Sequence, residues 1–185
     1  MKGQISEYVI SLYKDIPMAV YEGLLSVLCL GAVVIIACYG LKRGWSWIAG
    51  LVLAEYIFFI YCSTVIYRTV AERFVGYSFT PFWSYNAIRE GRIELLPENI
   101  MNVVAFVPIG LLLGIGKPRL KWWMVLLIGA CLSVSIEILQ FVFKKGFSEL
   151  DDVMHNTLGC MIGYGVYKLV RYGYKRLGKR SVAVL

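Results

Sequence analysis

Long, unbroken apolar runs constrain this chain more than any other feature. Over about residues 16–39, 45–67, 99–115, 122–143 and 152–172 the sequence approaches the ~20 apolar residues that a helix needs to cross a bilayer. In hydrocarbon every backbone N–H and C=O must be satisfied within the segment, which for continuous runs means helix. A membrane barrel would show alternation instead. Composition agrees, because 59% of the 185 residues are apolar and the mean hydropathy is +0.68, where soluble domains are roughly half apolar. The expected fold class is an all-α integral membrane protein: a five-helix transmembrane bundle with one long extracellular loop.

Three parts follow along the chain. Residues 1–15 set Glu7, Lys14 and Asp15 against Ile5, Val9, Ile10 and Leu12, the pattern of an interfacial segment. Residues 16–172 hold the five helices, and residues 173–185 form a basic cytoplasmic tail. The first apolar run starts late and is too long for the ~7–15-residue core of a cleaved signal. Pro17 sits where a helix start tolerates proline, and Gly40 to Gly44 reads as a tight loop. Pro108 and Gly110 kink or thin the third helix. Gly159 and Gly163 are spaced as GxxxG, which permits close helix approach.

Between residues 68 and 98 lies the long polar connection, with four Arg, four Glu and the aromatics Phe74, Tyr77, Phe79, Phe82, Trp83 and Tyr85. Pro81 holds Thr80 extended or in a turn. Such a connection reads either as a functional loop or as an interfacial aromatic belt.

The net charge of +7 comes from basic residues that flank the apolar runs. No stretch interleaves basic and aromatic residues as a nucleic-acid groove would, so nucleic acid is not an expected partner. The loops at Lys42 and Lys117 and the tail carry eleven Lys/Arg and no acid, whereas the opposite side carries eight Lys/Arg and nearly all the acids. Basic excess belongs in the cytoplasm, which puts the N-terminus outside and the C-terminus inside. The cysteines, Cys29, Cys38, Cys62, Cys131 and Cys160, are odd in number, lack CxxC spacing and fall within apolar runs, so they read as small buried apolar residues.

That orientation brings polar side chains of three helices to one leaflet. Asn99 and Asn102 open the third helix, Glu137 and Gln140 lie near the end of the fourth, and Asp151, Asp152, His155 and Asn156 open the fifth. Glu137 and Gln140 are spaced i, i+3, Asp152 and Asn156 i, i+4, and His155 is i+3 from Asp152, so each set faces one way. Polar groups at membrane depth are costly and mark a site. The candidate ligand-binding residues are Asn102, Glu137, Gln140, Asp151, Asp152, His155 and Asn156. The competing reading makes the aspartates helix caps and the asparagines interhelical glue. Glu137 needs a partner, a proton or water, and Lys144, Lys145 and the arginines of the long connection are the candidate partners; Glu55 lies deeper still. Helices three, four and five are expected to pack as one unit, with Gly159 and Gly163 at a close crossing and Asn156 within hydrogen-bonding reach of Glu137, Gln140 or Asn102.

His155, Glu137 and Asp152 are an N/O ligand set of plausible type, but with a single His and no HExxH neither metal nor cofactor is expected. No GxSxG occurs, Ser133 and Ser135 read as packing or back-bonding residues, and no residue is assigned a catalytic role.

Three ordered motifs carry a family resemblance. They are Asn102-x-x-x-Phe106-x-Pro108-x-Gly110, then Ser135-x-Glu137-x-x-Gln140, then Asp151-Asp152-x-x-x-Asn156-Thr157-x-Gly159. Together with Thr80-Pro81-Phe82 ahead of them, they resemble the VanZ-like family over about residues 60–167. Members often have an Arg shortly before the paired aspartates, where this chain has Lys144 and Lys145. The resemblance implies a small helical protein of the bacterial cytoplasmic membrane, associated with glycopeptide (teicoplanin) resistance, with no established catalytic mechanism. The implied partner is a membrane lipid or cell-wall precursor, and the oligomeric state stays open. Two rivals stand beside a binder. One is a lipid transporter or flippase. The other is an intramembrane enzyme acting on a polyprenyl-linked or phospholipid substrate, with Glu137 or Asp152 as base and His155 as acid or ligand.

Overall fold

The computed structural model describes residues 16–68 and 76–182. The interfacial segment expected over 1–15, residues 69–75 of the long connection and residues 183–185 lie outside that description. In order the elements are α1 (Met18–Tyr61), a π-helical turn (Cys62–Ile66), β1 (Gly76–Ser78), α2 (Trp83–Arg89), α3 (Leu95–Gly116), α4 (Trp122–Val142), β2 (Phe147–Glu149) and α5 (Leu150–Val182).

Among the described residues three stretches are long and apolar enough to cross a membrane: Gly44–Ile66, Leu95–Gly116 and Trp122–Val142. Five were expected. The first apolar stretch, Val20–Ile36, is shorter, and α5 opens with Asp151, Asp152, His155 and Asn156, which dilute its apolar content. The spans present their large apolar side chains outward. On α4 these include Leu126, Leu127, Val134, Ile138 and Phe141, a surface suited to hydrocarbon. Cys29, Cys38 and Cys131 are likewise exposed, and only Cys62 and Cys160 are buried. This corrects the reading of all five as buried: on a spanning helix an apolar residue is as well placed against lipid as against protein.

The backbone stays helical through α1, yet the ends of α1 meet. The rings of Tyr21 and Phe59 are 5.6 Å apart, where a straight helix would separate them by about 57 Å at its usual rise. Leu51 packs on Gly31 and Ile35 on Gly44. These pairs are centred near residue 40, so the chain reverses there, where the Gly40 to Gly44 loop was expected.

The core is built where α3 and α5 cross. A Cβ added at Gly159, Gly163 or Gly110 would run into the carbonyl oxygen of Val103, Val107 or Cys160 respectively. Only glycine lets the two backbones come this close. On the other side of α5, a Cβ at Gly129 of α4 would lie 3.0 Å from that of Cys160. Buried Phe106, Ile109, Val125, Ile136, Cys160 and Tyr164 fill the space between these helices.

Helix α3 begins at Leu95, earlier than the expected Asn99, because Pro97 is tolerated in a first turn. Pro108 disturbs the preceding turn, and the Tyr56 hydroxyl donates to the Ala105 carbonyl there at 2.8 Å.

The described part of the long connection, residues 76–94, carries regular structure rather than a plain loop. β1 runs parallel to β2, pairing Gly76 with Phe147, Tyr77 with Ser148 and Ser78 with Glu149, and α2 follows it. The chain turns sharply after α4 through Lys144, at φ 54°. The Lys144 N–H donates to Phe141 at 3.2 Å and the Lys145 N–H to Gln140 at 2.8 Å. This is a Schellman turn with lysine in the left-handed position that glycine usually fills.

Candidate functional site

Glu137, on the last turns of α4, is 6% exposed. The turn at Lys144 brings β2 back along α4, and β2 supplies its partners. The Glu149 N–H donates to Glu137 Oε2 at 3.0 Å. The Ser148 hydroxyl lies 3.0 Å from the Glu137 carbonyl oxygen and 3.2 Å from Oε2. A hydroxyl and a backbone amide thus hold the carboxyl directly, and of the expected basic candidates Arg68 shares its cavity. Lys144 is exposed, and Lys145 donates to the Arg68 carbonyl at 2.8 Å.

One turn on, Gln140 Nε2 donates to the Thr64 carbonyl at 3.1 Å. Thr64 belongs to the π turn, whose wider spacing disturbs the regular backbone ladder and is frequent at functional sites. The hydroxyls of Ser63 and Thr64 donate to the Ile60 carbonyl at 3.0 and 2.8 Å. Asn102 Nδ2 donates to Asp152 Oδ1 at 2.6 Å, tying α3 to α5. Asn156 Nδ2 donates to the Ser133 hydroxyl at 2.8 Å; the expected partners had been Glu137, Gln140 or Asn102.

Five of the seven expected residues, Asn102, Glu137, Gln140, Asp152 and Asn156, line one cavity of about 50 Å³. Arg68, Glu98, Ser63 and Thr64 join them, and Phe106 and Ile136 supply apolar wall. Three carboxyl groups and one guanidinium therefore face a space that holds a water or two, or one small polar group. The Arg68 guanidinium also packs on Gly146, where a Cβ would meet its carbon at 3.2 Å.

Asp151 and His155 turn elsewhere. Adjacent helix positions are about 100° apart, so Asp151 and Asp152 cannot share a face; Asp151 and His155, spaced i, i+4, share another. Asp151 Oδ1 accepts from the Phe82 N–H at 2.6 Å. Its Oδ2 accepts from the N–H and hydroxyl of Ser84 at 2.8 and 2.7 Å. Asn99 Nδ2 donates to the same hydroxyl at 3.0 Å. Asp151 is thus a cap, as the competing reading had it, but for α2 rather than its own helix. It clips the aromatic connection onto α5, with Phe82 at φ 61°. His155 Nε2 lies 2.8 Å from the Tyr85 hydroxyl, while the buried Nδ1 has no partner among the described residues.

Sequence reasoning missed Ser148, Glu149, the π turn and the specific place of Arg68, and it read Ser133 as a packing or back-bonding residue where it accepts from Asn156. The reversal at Lys144 carries no glycine signal, and strands of three residues have no period to detect. Glu149 is half-buried among acids. Burial first, then Glu98, Asp151 and Glu137, push its carboxyl up to about 8, with Arg92 opposing. Among the described residues no three of His, Cys, Asp and Glu are grouped as a metal ion would require.

The VanZ/LLP1 family matches residues 45–171. That stretch is well over half of the chain and contains every residue lining the cavity. The chain belongs to the VanZ/LLP1 family. Protein VanZ of Enterococcus faecium is similar to it, 27% identical over 128 residues that make up 65% of this chain and 76% of that protein. No solved structure matches the chain. The match begins at Trp45, past the reversal near residue 40, so the Val20–Ile36 arm lies outside the VanZ/LLP1 region. Family and spanning helices together make this a VanZ-like membrane protein.

Proposed function

We propose that this VanZ-like protein binds the polar end of a cell-envelope lipid at the outer leaflet of a bacterial cytoplasmic membrane, and that this binding underlies an association with teicoplanin-type glycopeptide resistance. The observation that carries the reading is the convergence of Asn102, Glu137, Gln140, Asp152 and Asn156, from three helices, on one cavity. Its size favours a lipid over a glycopeptide. Sites for drug-sized ligands run to ~300–1,000 Å³, and about 50 Å³ admits a small polar group alone. The effect on a glycopeptide is then indirect, through the lipid it meets at the outer face.

The lining suits that role. Carboxyl and amide oxygens accept from hydroxyl or ammonium groups, and Arg68 offers the paired donors that match a phosphate. The orientation rests on the eleven basic residues of the loops and tail. It takes Val20–Ile36 and α5 as first and last spans of a five-helix bundle, and the close crossing of α5 with α3 supports their traversing the bilayer together.

Glu137→Gln and Asp152→Asn test the reading in a susceptible host that carries the gene. Both variants insert into the membrane like the parent, measured by fractionation, and both lose its teicoplanin tolerance. Full tolerance in both removes the reading.

A further inference from the structure

Beside the polar cavity, on the outer side of α4, lies a second space that the proposed function does not use. It is a groove of about 310 Å³ walled by Tyr77, Phe79, Val134, Ile138, Phe141 and Val153. Glu137, Ser148 and Glu149 form its base. Resting on the headgroup reading above, we propose that this groove takes an acyl chain of the same phospholipid whose polar end enters the cavity, so that one molecule straddles Glu137.

Four observations carry this. Glu137 lines both spaces, and helix geometry explains why. On a helix turning about 100° per residue, Ser133, Ile136 and Gln140 share the cavity side. Val134, Ile138 and Phe141 share the groove side, and Glu137 falls on the boundary between them. An amphiphile needs a polar and an apolar compartment that meet, and here they meet at one side chain.

Second, the groove opens on the exposed apolar face of a spanning helix: Val134, Ile138 and Phe141 are all exposed. Whatever fills it arrives from the bilayer, where acyl chains are the bulk component. Third, the wall opposite α4 is built. The pairing that puts Ser148 against Glu137 also sets Tyr77 beside Ser148. The Tyr77 ring then stands edge-on to Phe141 at 5.9 Å and 5.1 Å from Phe79. Fourth, the two acids at the base are compatible with a hydrocarbon neighbour. The Glu137 side chain is buried and hydrogen-bonded, and the raised Glu149 carboxyl holds its proton at neutral pH.

The test uses the full chain in nanodiscs that contain phosphatidylglycerol with a diazirine in one acyl chain, with crosslinks mapped by mass spectrometry. Labelling of Tyr77, Phe79, Phe141 and Val134 is expected to exceed that of Leu127 and Val104, which face lipid elsewhere. The expected excess is about tenfold, the preference that roughly 1.4 kcal/mol of selective binding produces. Ile138→Trp, which fills the groove, removes the excess while leaving labelling at Leu127 unchanged, and Val134→Phe does the same should the first variant fail to fold. Asp152→Asn, which damages only the polar end, also removes it.

Groove labelling no higher than at Leu127 and Val104 overturns the inference and leaves the headgroup reading to its own susceptibility test. An excess that Asp152→Asn does not reduce overturns the idea of one molecule across Glu137. An excess seen with a diazirine polyprenyl phosphate and not with phosphatidylglycerol overturns the acyl assignment.

Discussion

Gly159→Ala is the most direct test of how this protein is held together. A methyl at Gly159 would run into the Val103 carbonyl oxygen, and the carbonyl carbon and Phe106 Cβ would stand at 2.9 and 3.1 Å. Carbon and carbonyl oxygen normally rest at about 3.3–3.6 Å, so α3 and α5 must part by about an ångström. The obstacle is backbone, which cannot swing aside as a side chain does. Overpacking costs typically 1–3 kcal/mol, and this geometry argues for the upper end. The displacement also stretches the Asn102–Asp152 hydrogen bond from 2.6 Å past the ~3.2 Å limit of a good bond. The expected loss is about 3 kcal/mol, or roughly 150-fold in the unfolding equilibrium. Helicity followed by circular dichroism through a denaturant titration in detergent reads it.

Gly165→Ala on the same helix is the matched control. A Cβ there meets nothing within 4 Å, so the added helix propensity should stabilise by about 0.5–1 kcal/mol. If Gly159→Ala and Gly165→Ala shift the midpoint in the same direction, the claim of a backbone-to-backbone crossing is wrong.

Three further outcomes follow from the loops. Asp151→Ala strips α2 of its three carboxylate hydrogen bonds, each worth about 1.5–3 kcal/mol when charged; limited proteolysis should then cut within residues 76–94 far faster than in the parent, with Asp151→Asn intermediate. Glu149, raised by burial to about 8 from its ordinary 4.5, makes the folded state bind more protons than the unfolded state between those values. Stability therefore falls as pH rises through that window. The Glu149→Gln variant should gain on the parent in melting temperature toward pH 8, and a difference that stays flat with pH would count against the buried acid. Lys144→Gly relieves a left-handed lysine and should stabilise by about 1 kcal/mol, read in the same denaturant titration; a loss of stability would mean that the lysine side chain matters more than its backbone.

The spans that qualify were legible because apolar length is a local property: 45–67, 99–115 and 122–143 were expected against Gly44–Ile66, Leu95–Gly116 and Trp122–Val142. The close crossing was legible in Gly159 and Gly163, though the third glycine, Gly110 on α3, had been read only as a helix thinner. The polar cluster was half legible. Asn102, Glu137, Gln140, Asp152 and Asn156 open on one cavity, whereas Asp151 turns away with the roughly 100° rotation between neighbouring helix positions, and His155, though spaced i, i+3 from Asp152, meets the Tyr85 hydroxyl instead. What stayed hidden is nonlocal. Tyr77 meets Ser148 through a strand pairing across a long sequence separation, and Gln140 finds a carbonyl that only a π turn presents. Neither depends on a residue type that announces it.

The glycine crossing also bears on what can move. Two helices that touch backbone to backbone through Gly110, Gly159 and Gly163 cannot rock or slide without losing that contact, so α3 and α5 behave as one rigid body. An alternating-access cycle built on this fold would have to place its hinge elsewhere. The remaining wall of the cavity is α4 and the π turn, joined across the gap by the hydrogen bond from Gln140 to the Thr64 carbonyl. That bond is the latch: widening the cavity means parting α4 from the end of α1 while α3 and α5 stay where they are.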